Sequence, residues 1–345
     1  MSTPFVSVII PARDEGASIR DTLAGLQAQT YPRERIEFLV VDGRSSDDTR
    51  SVVQEVGRDD PRVRLLDNPD RVTPGALNIG IRAARGSVIS LMSAHGTPAA
   101  DYLAVAVELL ETTGAWGVGG RIERVSKTPA QRAIAAATSS PIGVGDAVHN
   151  YASQAAWVET AFPGLWHRNV FERVGLFDPE LVRNQDDELS YRIRQAGGGI
   201  WYDPAIVVRY QPRGSLRALF SQYRQYGMWK VRVFQKHPGA ARRRHLVPAA
   251  FVGTVAGGAL LVPFVRPAGL LSFFALGAYG ALVFAATARR SDRGAEPLRF
   301  AASIAVLHTS YGLGFWEGLL RFAPRWLVRR QGSIERLPPR PEAAS

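Results

Sequence analysis

The chain has 345 residues, of which 46% are hydrophobic and 21% are charged. This length and composition fit one large domain or two ordinary ones and exclude disorder throughout. There is no cysteine, which excludes disulfides, thiolate metal sites and cysteine nucleophiles. The net charge of +11 is uneven, because residues 240–345 hold 14 Arg against 5 acidic residues. Most of the basic excess therefore lies in the C-terminal third, and we expect no nucleic-acid partner.

The first 210 residues predict strands that alternate with helices. Apolar, β-rich runs predict strands at Val6–Ile10, Ile36–Val41, Val63–Leu66 and Val88–Leu91. Helical spacing predicts helices at Ser18–Gln29, Ser46–Val56 and Pro74–Ala84. This order favours an α/β domain with a mostly parallel sheet. Ligands of such sheets bind at the carboxyl ends of the strands, where polar clusters occur at residues 11–15, 42–49 and 93–96.

Two long uncharged segments, residues 246–265 and 268–288, follow this region. Each is long enough to cross a bilayer as a helix, and the alternative is a pair of buried core helices. Their basic flanks, residues 241–245 and 289–293, fit the positive-inside rule. A tight hairpin at Arg266-Pro267 would place both flanks on the cytoplasmic side. The N-terminus lacks a secretory signal pattern, so we expect it to stay in the cytoplasm.

A third segment, residues 300–320, contains His308 and Glu317 and precedes a basic cluster at residues 325–330. It either spans the membrane, which we favour, or lies in the interface near anionic lipid headgroups.

An amphipathic helix is predicted within residues 213–240. Its apolar positions recur at helical spacing and alternate with basic residues, as in helices that lie on a membrane surface. The apolar positions are Leu216, Leu219, Phe220, Tyr223 and Tyr226, and the basic ones are Arg217, Arg224, Lys230, Arg232 and Lys236.

Five blocks carry the polar residues of the N-terminal region. They are V-S-V-I-I-P-A-R-D-E from Val6, F-L-V-V-D-G-R-S-S-D-D-T from Phe38, P-G-A-L-N-I-G-I-R-A-A-R-G from Pro74, S-A-H from Ser93, and G-L-F-D-P-E-L-V-R-N-Q-D-D-E-L-S-Y-R-I from Gly175. In this order and spacing they resemble the family 2 inverting glycosyltransferases of the GT-A fold. Within that family the chain is most similar to membrane-attached enzymes that build bacterial exopolysaccharides, such as the succinoglycan type.

Together with the apolar and amphipathic segments, the resemblance predicts the following organisation. A Rossmann-like GT-A domain with a mostly parallel sheet occupies residues 1–212, and an interfacial segment occupies 213–240. A transmembrane region follows at 241–323, and a basic, Pro-rich tail at 324–345. The implied partners are a nucleotide-sugar donor, with a UDP-sugar favoured, a lipid-linked glycan acceptor and membrane lipids. The implied location is the plasma membrane or inner membrane, with the catalytic domain in the cytoplasm.

The resemblance also assigns a donor and cation site. Where the family has Asp-x-Asp, this chain has Ser93-Ala94-His95, so His95 stands at the position of the cation ligand. An imidazole accepts Mn²⁺ more readily than Mg²⁺. The alternative is a loop histidine in an enzyme that has lost metal dependence. The implied donor contacts are Pro11, Ala12, Arg13, Glu15, Asp42, Asn78 and Ser93.

The catalytic base is assigned to N-Q-D-D-E-L, which begins at Asn184. Inverting transfer needs a carboxylate that takes the proton of the acceptor hydroxyl during attack on the anomeric carbon. Alignment with the family pattern Glu-Asp-x-Glu-Leu makes Asp186 the base, with Gln185 in place of the usual Glu. Asp187 is the base if the register differs by one residue. The alternative is an acidic first turn that interacts with the helix dipole.

Acceptor-side residues are predicted from position alone. They are Trp166 and His167 before the base, and Gln222 and Tyr226 after it. The last two lie in a block that loosely resembles the Gln-x-x-Arg-Trp motif of processive synthases but lacks its Arg-Trp ending, so processive synthesis is not expected. The predicted function is inverting transfer to a lipid-linked saccharide. The alternatives are transfer to a polyprenyl phosphate, and a degenerate sugar-nucleotide-binding subunit with no activity.

Overall fold

The computed structural model describes residues 3–145, 147–265, 267–289, 294–327 and 334–339. Its strands are β1 (Val6–Ala12), β2 (Ile36–Asp42), β3 (Val63–Asp67), β4 (Val88–Leu91), β5 (Gly96–Pro98), β6 (Gly117–Arg124), β7 (Ala156–Trp157), β8 (Gly164–His167) and β9 (Ile200–Tyr210). Its helices are α1 (Gly16–Gln27), α2 (Thr49–Asp59), α3 (Thr73–Ala83), α4 (Tyr102–Thr112), α5 (Pro129–Thr138), α6 (Pro141–Val144), α7 (Arg168–Val174), α8 (Gln185–Gln195), α9 (Leu216–Lys236), α10 (Arg243–Leu261), α11 (Ala268–Arg289) and α12 (Pro297–Leu327).

The chain divides into two compact units. The first unit comprises residues 1–123, 152–210 and 332–345, and the second comprises residues 124–151 and 211–331. The predicted segment boundaries at residues 212, 240 and 323 stay predictions.

The first unit is built on the four predicted strands. β1 lies between β2 and β4 and is parallel to both, so that Val6 pairs with Ile36 on one side and Val88 on the other. β3 extends the parallel part beyond β2. All seven residues of β2 are buried, as expected of a strand covered on both faces in a parallel sheet. The α/β fold with these four parallel strands is confirmed.

The rest of the sheet departs from the predicted parallel arrangement. In the described residues the strand order is β3-β2-β1-β4-β8-β6-β9-β5, with β7 beside β9. β8 is antiparallel to both β4 and β6, and β5 and β7 are antiparallel to β9. β5 and β7, with three and two residues, lack the length that makes a strand visible in a sequence, and β8 pairs with strands that are distant in the chain.

Helices cover both faces of this sheet. Val8 and Ile10 belong to a core cluster that includes side chains of α1 and α4, whereas Ile9 belongs to a second cluster with side chains of α3, α7 and α8. This division follows from the two-residue period of a strand, because successive side chains point to opposite faces. The result is a three-layer α/β unit whose strand ends are held in fixed relative positions.

In the second unit, α9 packs against α12. Met228, Val231 and Phe234 of α9 share an apolar cluster with Phe315 and Phe322 of α12. These three contact residues of α9 are not among the apolar positions that were predicted to lie on a membrane surface, and that role stays a prediction. Leu216 and Phe220, in the first two turns of α9, remain exposed.

Glycines set the close approach of α9 and α12. A Cβ atom at Gly314 would overlap the carbonyl oxygen of Arg224, and one at Gly227 would overlap the carbonyl oxygen of Tyr311. Small residues at such positions let two helix backbones approach closely. The same region holds an ion pair between Arg224 Nη1 and Glu317 Oε2 at 2.7 Å, which gives the acidic residue of the third predicted segment a partner.

By length and composition, α10 and α11 are the two helices of the described chain that are able to cross a membrane. Fourteen of the 22 large apolar side chains exposed in the described residues lie between Leu246 and Phe284. This exposure does not fit buried core helices. The spanning role predicted for residues 300–320, within α12, stays a prediction. Arg266 of the predicted hairpin, residues 290–293 of the second basic flank and residues 328–330 of the later basic cluster lie outside the described residues.

The contact between α9 and α12 is tested by substituting Gly314 with Ala. The added Cβ must force the two helices apart, and overpacking of this kind destabilises a protein by about 1 to 3 kcal/mol. Gly257→Ala is the matched control, because in the described residues a Cβ there would meet no atom within 4 Å. In detergent, we expect Gly314→Ala to have a lower melting temperature than the wild type. We expect no such decrease for Gly257→Ala. Equal melting temperatures for the two variants would contradict the close contact.

Candidate active site

The loops that follow β1 and β2 are interlocked by short hydrogen bonds. Asp14, at a positive φ of 55°, accepts hydrogen bonds from the main-chain N–H and the hydroxyl of Ser46 at 2.7 and 3.0 Å. The N–H donation from Ser46 is the main reason that the pKa of Asp14 lies below its ordinary value. The N–H of Glu15 donates to the Thr49 hydroxyl at 2.8 Å. These bonds fix the shape of the loop that contains the predicted donor contacts 11–15.

Asp42 ends β2 and is fully buried. Its carboxylate accepts a hydrogen bond from the Ser45 hydroxyl at 2.5 Å and forms an ion pair with Arg50, whose Nη1 lies 2.6 Å away. Arg50 also reaches Asp67, at the end of β3, at 3.2 Å. The ends of β2 and β3 are therefore joined through one guanidinium. The predicted nucleotide contact of Asp42 stays a prediction, and its ion pair with Arg50 was not predicted from the sequence.

His95 lies beside Glu15. The distance from His95 Nδ1 to Glu15 Oε1 is 2.9 Å, although the two residues are 80 positions apart in the chain. The side chains are 37% and 26% exposed, so ligands in solution are able to reach them. The ring of Tyr210, at the end of β9, is 5.4 Å from the His95 ring, centroid to centroid. Parallel pairing of β1 with β4 brings these two loops together.

The donor set of this pair fits a divalent cation that takes most of its ligands from the substrate. No group of three or more His, Asp or Glu side chains suited to a metal ion occurs in the described residues. An imidazole and a carboxylate are present, and cations of nucleotide-using enzymes are commonly held by one or two protein groups plus phosphate oxygens. The Ser93 side chain is partly buried, and its predicted donor contact stays a prediction.

The predicted base lies in the first turn of α8. Asn184 precedes the helix at a positive φ of 60°. Glu188 is fully buried and paired with Arg192, whose Nε and Nη2 lie 2.7 and 2.9 Å from its carboxylate oxygens. Asp186 and Asp187 are only partly buried. The structure therefore separates one acid inside the domain from two acids at the accessible start of the helix.

The chain connection orients this helix. A four-residue loop, 196–199, joins the end of α8 to the start of β9, and such short connections send a strand back along its helix. The first turn of α8 thus lies toward the same end of the sheet as Tyr210, the last residue of β9. Tyr210 is also the residue beside His95. Both predicted centres are accordingly at one end of the first unit.

The other predicted donor residues have varied surroundings. Ala12 is buried at the end of β1 and Pro11 is half-buried. Arg13 is exposed and donates a hydrogen bond from Nη1 to the carbonyl of Arg71 at 3.2 Å. Asn78 is buried, and its carboxamide donates to the carbonyl of Phe177 at 2.8 Å and accepts from the N–H of the same residue at 2.9 Å. This pairing gives Asn78 a positioning role, and its predicted donor contact stays a prediction.

The register of β8 locates the predicted acceptor residues of the first unit. His167 pairs with Val88, at the start of β4, whereas Gly164 pairs with Leu91 at its end. Trp166 is 3% exposed and packs against Gly117. Gly164 is therefore the β8 residue nearest the end of β4 that leads to His95. The acceptor roles of Trp166 and His167 stay predictions without a supporting contact.

Gln222 and Tyr226 belong to α9 of the second unit. The Gln222 amide donates to the Tyr226 hydroxyl at 2.9 Å, one helical turn away. Arg213 Nε donates to the same Gln222 side chain at 3.3 Å. These contacts place the two predicted residues together, and their role toward an acceptor is not tested by them.

Local sequence spacing predicts some contacts of the candidate site and gives no signal for others. Glu188 and Arg192 stand at i and i+4 of a predicted acidic helix start, which is the spacing of helical ion pairs. Arg50 follows the polar block of residues 42–49 directly. The contact between Glu15 and His95 joins distant residues and has no local signal.

Comparison with known proteins identifies the family of the chain. The sequence profile described as Glycosyl transferase family 2 matches residues 7–172, which includes His95 and ends before α8. The succinoglycan biosynthesis protein ExoA of Rhizobium meliloti is 33% identical over 324 residues, covering 92% of this chain and 96% of that protein. A dolichyl N-acetyl-alpha-D-glucosaminyl phosphate 3-beta-D-2,3-diacetamido-2,3-dideoxy-beta-D-glucuronosyltransferase of Methanococcus voltae is 27% identical over 327 residues, covering 92% of this chain and 98% of that protein.

Solved structures show the same fold. The mannosyltransferase PcManGT of Pyrobaculum calidifontis, solved with GDP-Man and Mn²⁺, has a TM-score of 0.60 and 21% identity, with 92% of this chain and 88% of that chain covered. TarS residues 1–349 of S. aureus, solved with UDP-GlcNAc, has a TM-score of 0.51 and 14% identity, with 91% and 92% covered. The first unit thus has the GT-A fold of enzymes that use nucleotide sugars. The chain belongs to glycosyltransferase family 2, and it is a glycosyltransferase.

Proposed function

We propose that this protein is an inverting glycosyltransferase that moves a sugar from a UDP-sugar to a lipid-linked saccharide at the cytoplasmic membrane face. The pathway would be exopolysaccharide or cell-envelope glycan synthesis. The observation that carries the proposal is the division of acids in α8, where Glu188 is buried against Arg192 while Asp186 stays accessible. The similarity to a succinoglycan biosynthesis protein and to a dolichyl-linked sugar transferase over most of the chain supports this acceptor class.

The proposed reaction is a single displacement. The acceptor hydroxyl oxygen attacks the anomeric carbon on the face opposite the diphosphate, and the bond between that carbon and the diphosphate oxygen breaks. Asp186 takes the hydroxyl proton, and the nucleoside diphosphate leaves with the bonding electron pair. The configuration at the anomeric carbon is inverted. A carboxylate that is only partly buried in the first turn of a helix suits this role, because a substrate in solution is able to reach it.

A divalent cation would be held by His95 together with Glu15. When bound, it supplies positive charge to the diphosphate leaving group. His95 Nδ1 and Glu15 Oε1 lie 2.9 Å apart, so the imidazole and the carboxylate are close enough to bind one cation, which would replace the hydrogen bond between them. Ser93 stands where the family has a carboxylate, and Glu15 in the loop after β1 would provide one instead.

The membrane-spanning part would be the pair α10 and α11, in a multi-pass arrangement. Their exposed apolar side chains need lipid or another covering, and the basic residues Arg242, Arg243 and Arg244 stand at the start of α10. Such a flank belongs on the cytoplasmic side, where a nucleotide sugar is available.

The base is tested by two matched variants. Asp186→Asn keeps the size of the side chain and removes the proton acceptor, so turnover should fall on the order of 100- to 10,000-fold while UDP binding is retained. Asp187→Asn should lose far less. Transfer is measured with a radiolabelled sugar nucleotide and membrane lipids. The reverse pattern would assign the base to Asp187, and full activity of both variants would refute the proposed role of this helix.

The cation site is tested by titration calorimetry of UDP with and without Mn²⁺. Because the protein supplies two ligands, we expect Mn²⁺ to bind tightly only together with UDP. His95→Ala should abolish the gain in UDP affinity from Mn²⁺, and Glu15→Gln should reduce it. Asp21→Asn, an exposed carboxylate of α1, is the control and should leave the gain intact. Full transfer activity in excess EDTA would refute the use of a metal.

Membrane insertion is tested by extraction with alkaline carbonate. Integral proteins stay with the lipid because exposure of their apolar helices to water costs too much free energy. The full-length chain should therefore remain in the pellet. Release into the supernatant would contradict the insertion of α10 and α11.

A further inference from the structure

Residues 334–339, here called the strap, pack against the rest of the first unit. Leu337 is 3% exposed and belongs to the core cluster that contains Phe171, Leu176 and Leu189. Its neighbours Glu335 and Arg336 are exposed. In sequence this stretch has the composition of a basic, Pro-rich tail, and one buried leucine between charged and proline residues gives no periodic signal. The structure nonetheless makes it part of the folded core.

Main-chain and ionic contacts hold the strap in place. The N–H of Leu176 donates to the carbonyl of Glu335 at 2.7 Å, and the N–H of Leu337 donates to the carbonyl of Phe171 at 3.3 Å. The Glu335 carboxylate forms a two-point ion pair with Arg82, with Nε at 3.0 Å from Oε1 and Nη2 bonded to Oε2. This bonding lowers the pKa of Glu335. The pair is exposed, so Leu337 is the stronger anchor.

The strap lies close to residue Gly175 of the first unit. This residue has a positive φ of 89°, which favours glycine. A Cβ atom there would lie 2.8 Å from Ile334 Cγ2 and 3.0 Å from the carbonyl oxygen of Glu335. Both the backbone conformation and the approach of the strap therefore depend on glycine at this position.

The same short segment also accepts hydrogen bonds from α8. The Arg192 guanidinium donates to the carbonyl of Gly175 at 3.2 Å and to the carbonyl of Leu176 at 2.8 Å. Arg192 also pairs with the buried Glu188 of the first helical turn. A continuous set of contacts thus runs from the strap through Gly175 and Leu176 to the turn that contains Asp186.

We infer that the strap positions the base helix, with Leu337 and Glu335 acting as positioning residues for Asp186 through the segment 175–176. The inference rests on the proposed role of Asp186. A displacement of a reacting group by about 1 Å costs on the order of 100-fold in rate, so a support of this kind matters for turnover and not for donor affinity.

The test uses the full-length chain with Leu337→Ala and Glu335→Ala, and with Arg336→Ala as the control between them. We expect kcat to fall about 10- to 100-fold for Leu337→Ala and about two- to fivefold for Glu335→Ala. The KM for the donor should stay unchanged, as should all parameters of Arg336→Ala. Hydrogen exchange should become faster at residues 174–177 and in the first turn of α8, and should stay unchanged in the loop 13–16.

A charge exchange provides a milder test of the same contact. Arg82→Glu and Glu335→Arg should each lower kcat, and the double variant should regain most of it. Unchanged exchange in α8, or a loss of kcat that accompanies weaker donor binding and less folded protein, would overturn the inference. Faster exchange in α8 with normal kcat would overturn the catalytic role of the strap. If Asp186→Asn is then also active, the proposed function itself has failed.

Discussion

The parallel pairing of β1 with β2 and β4 is the constraint on which the candidate site depends. It places the loops after three strands at one edge of the sheet, and it brings Glu15 to within 2.9 Å of His95. The interlocked Asp14 and Ser46 then fix the loop in which Glu15 lies. Without this register the chain would have a lone imidazole where its family has two carboxylates. With it, a carboxylate from another loop stands beside the imidazole.

In the same unit, several buried carboxylates have arginine partners. Buried acids are paired with arginines that join neighbouring elements, as Asp42 is with Arg50 and Glu188 is with Arg192. Breaking a buried pair of this kind by removing one partner is strongly destabilising, because the other charge is left inside the protein. Asp186 and His95 are only partly buried, and their roles toward substrate stay proposals.

Local patterns predicted the parts of the structure that local forces determine. Val88–Leu91 was predicted to the residue, and the predicted Ser18–Gln29 helix differs from α1 by two residues at each end, since helix ends depend on loop contacts. The antiparallel strands β5 to β9 and the covering of α9 by α12 depend on residues far apart in the chain. The same holds for Arg50 with Asp67 and for the docking of Leu337. Partner choice at such distances is set by packing, which one sequence does not display.

The measurement that tests the cation site most directly is the ratio of transfer rates with Mn²⁺ and with Mg²⁺, for the wild type and for His95→Asp. Imidazole suits Mn²⁺ better than the hard Mg²⁺, whereas a carboxylate suits both. We predict a clear Mn²⁺ preference in the wild type and a ratio shifted toward Mg²⁺ on the order of tenfold in His95→Asp. The same ratio in both proteins would contradict His95 as the ligand.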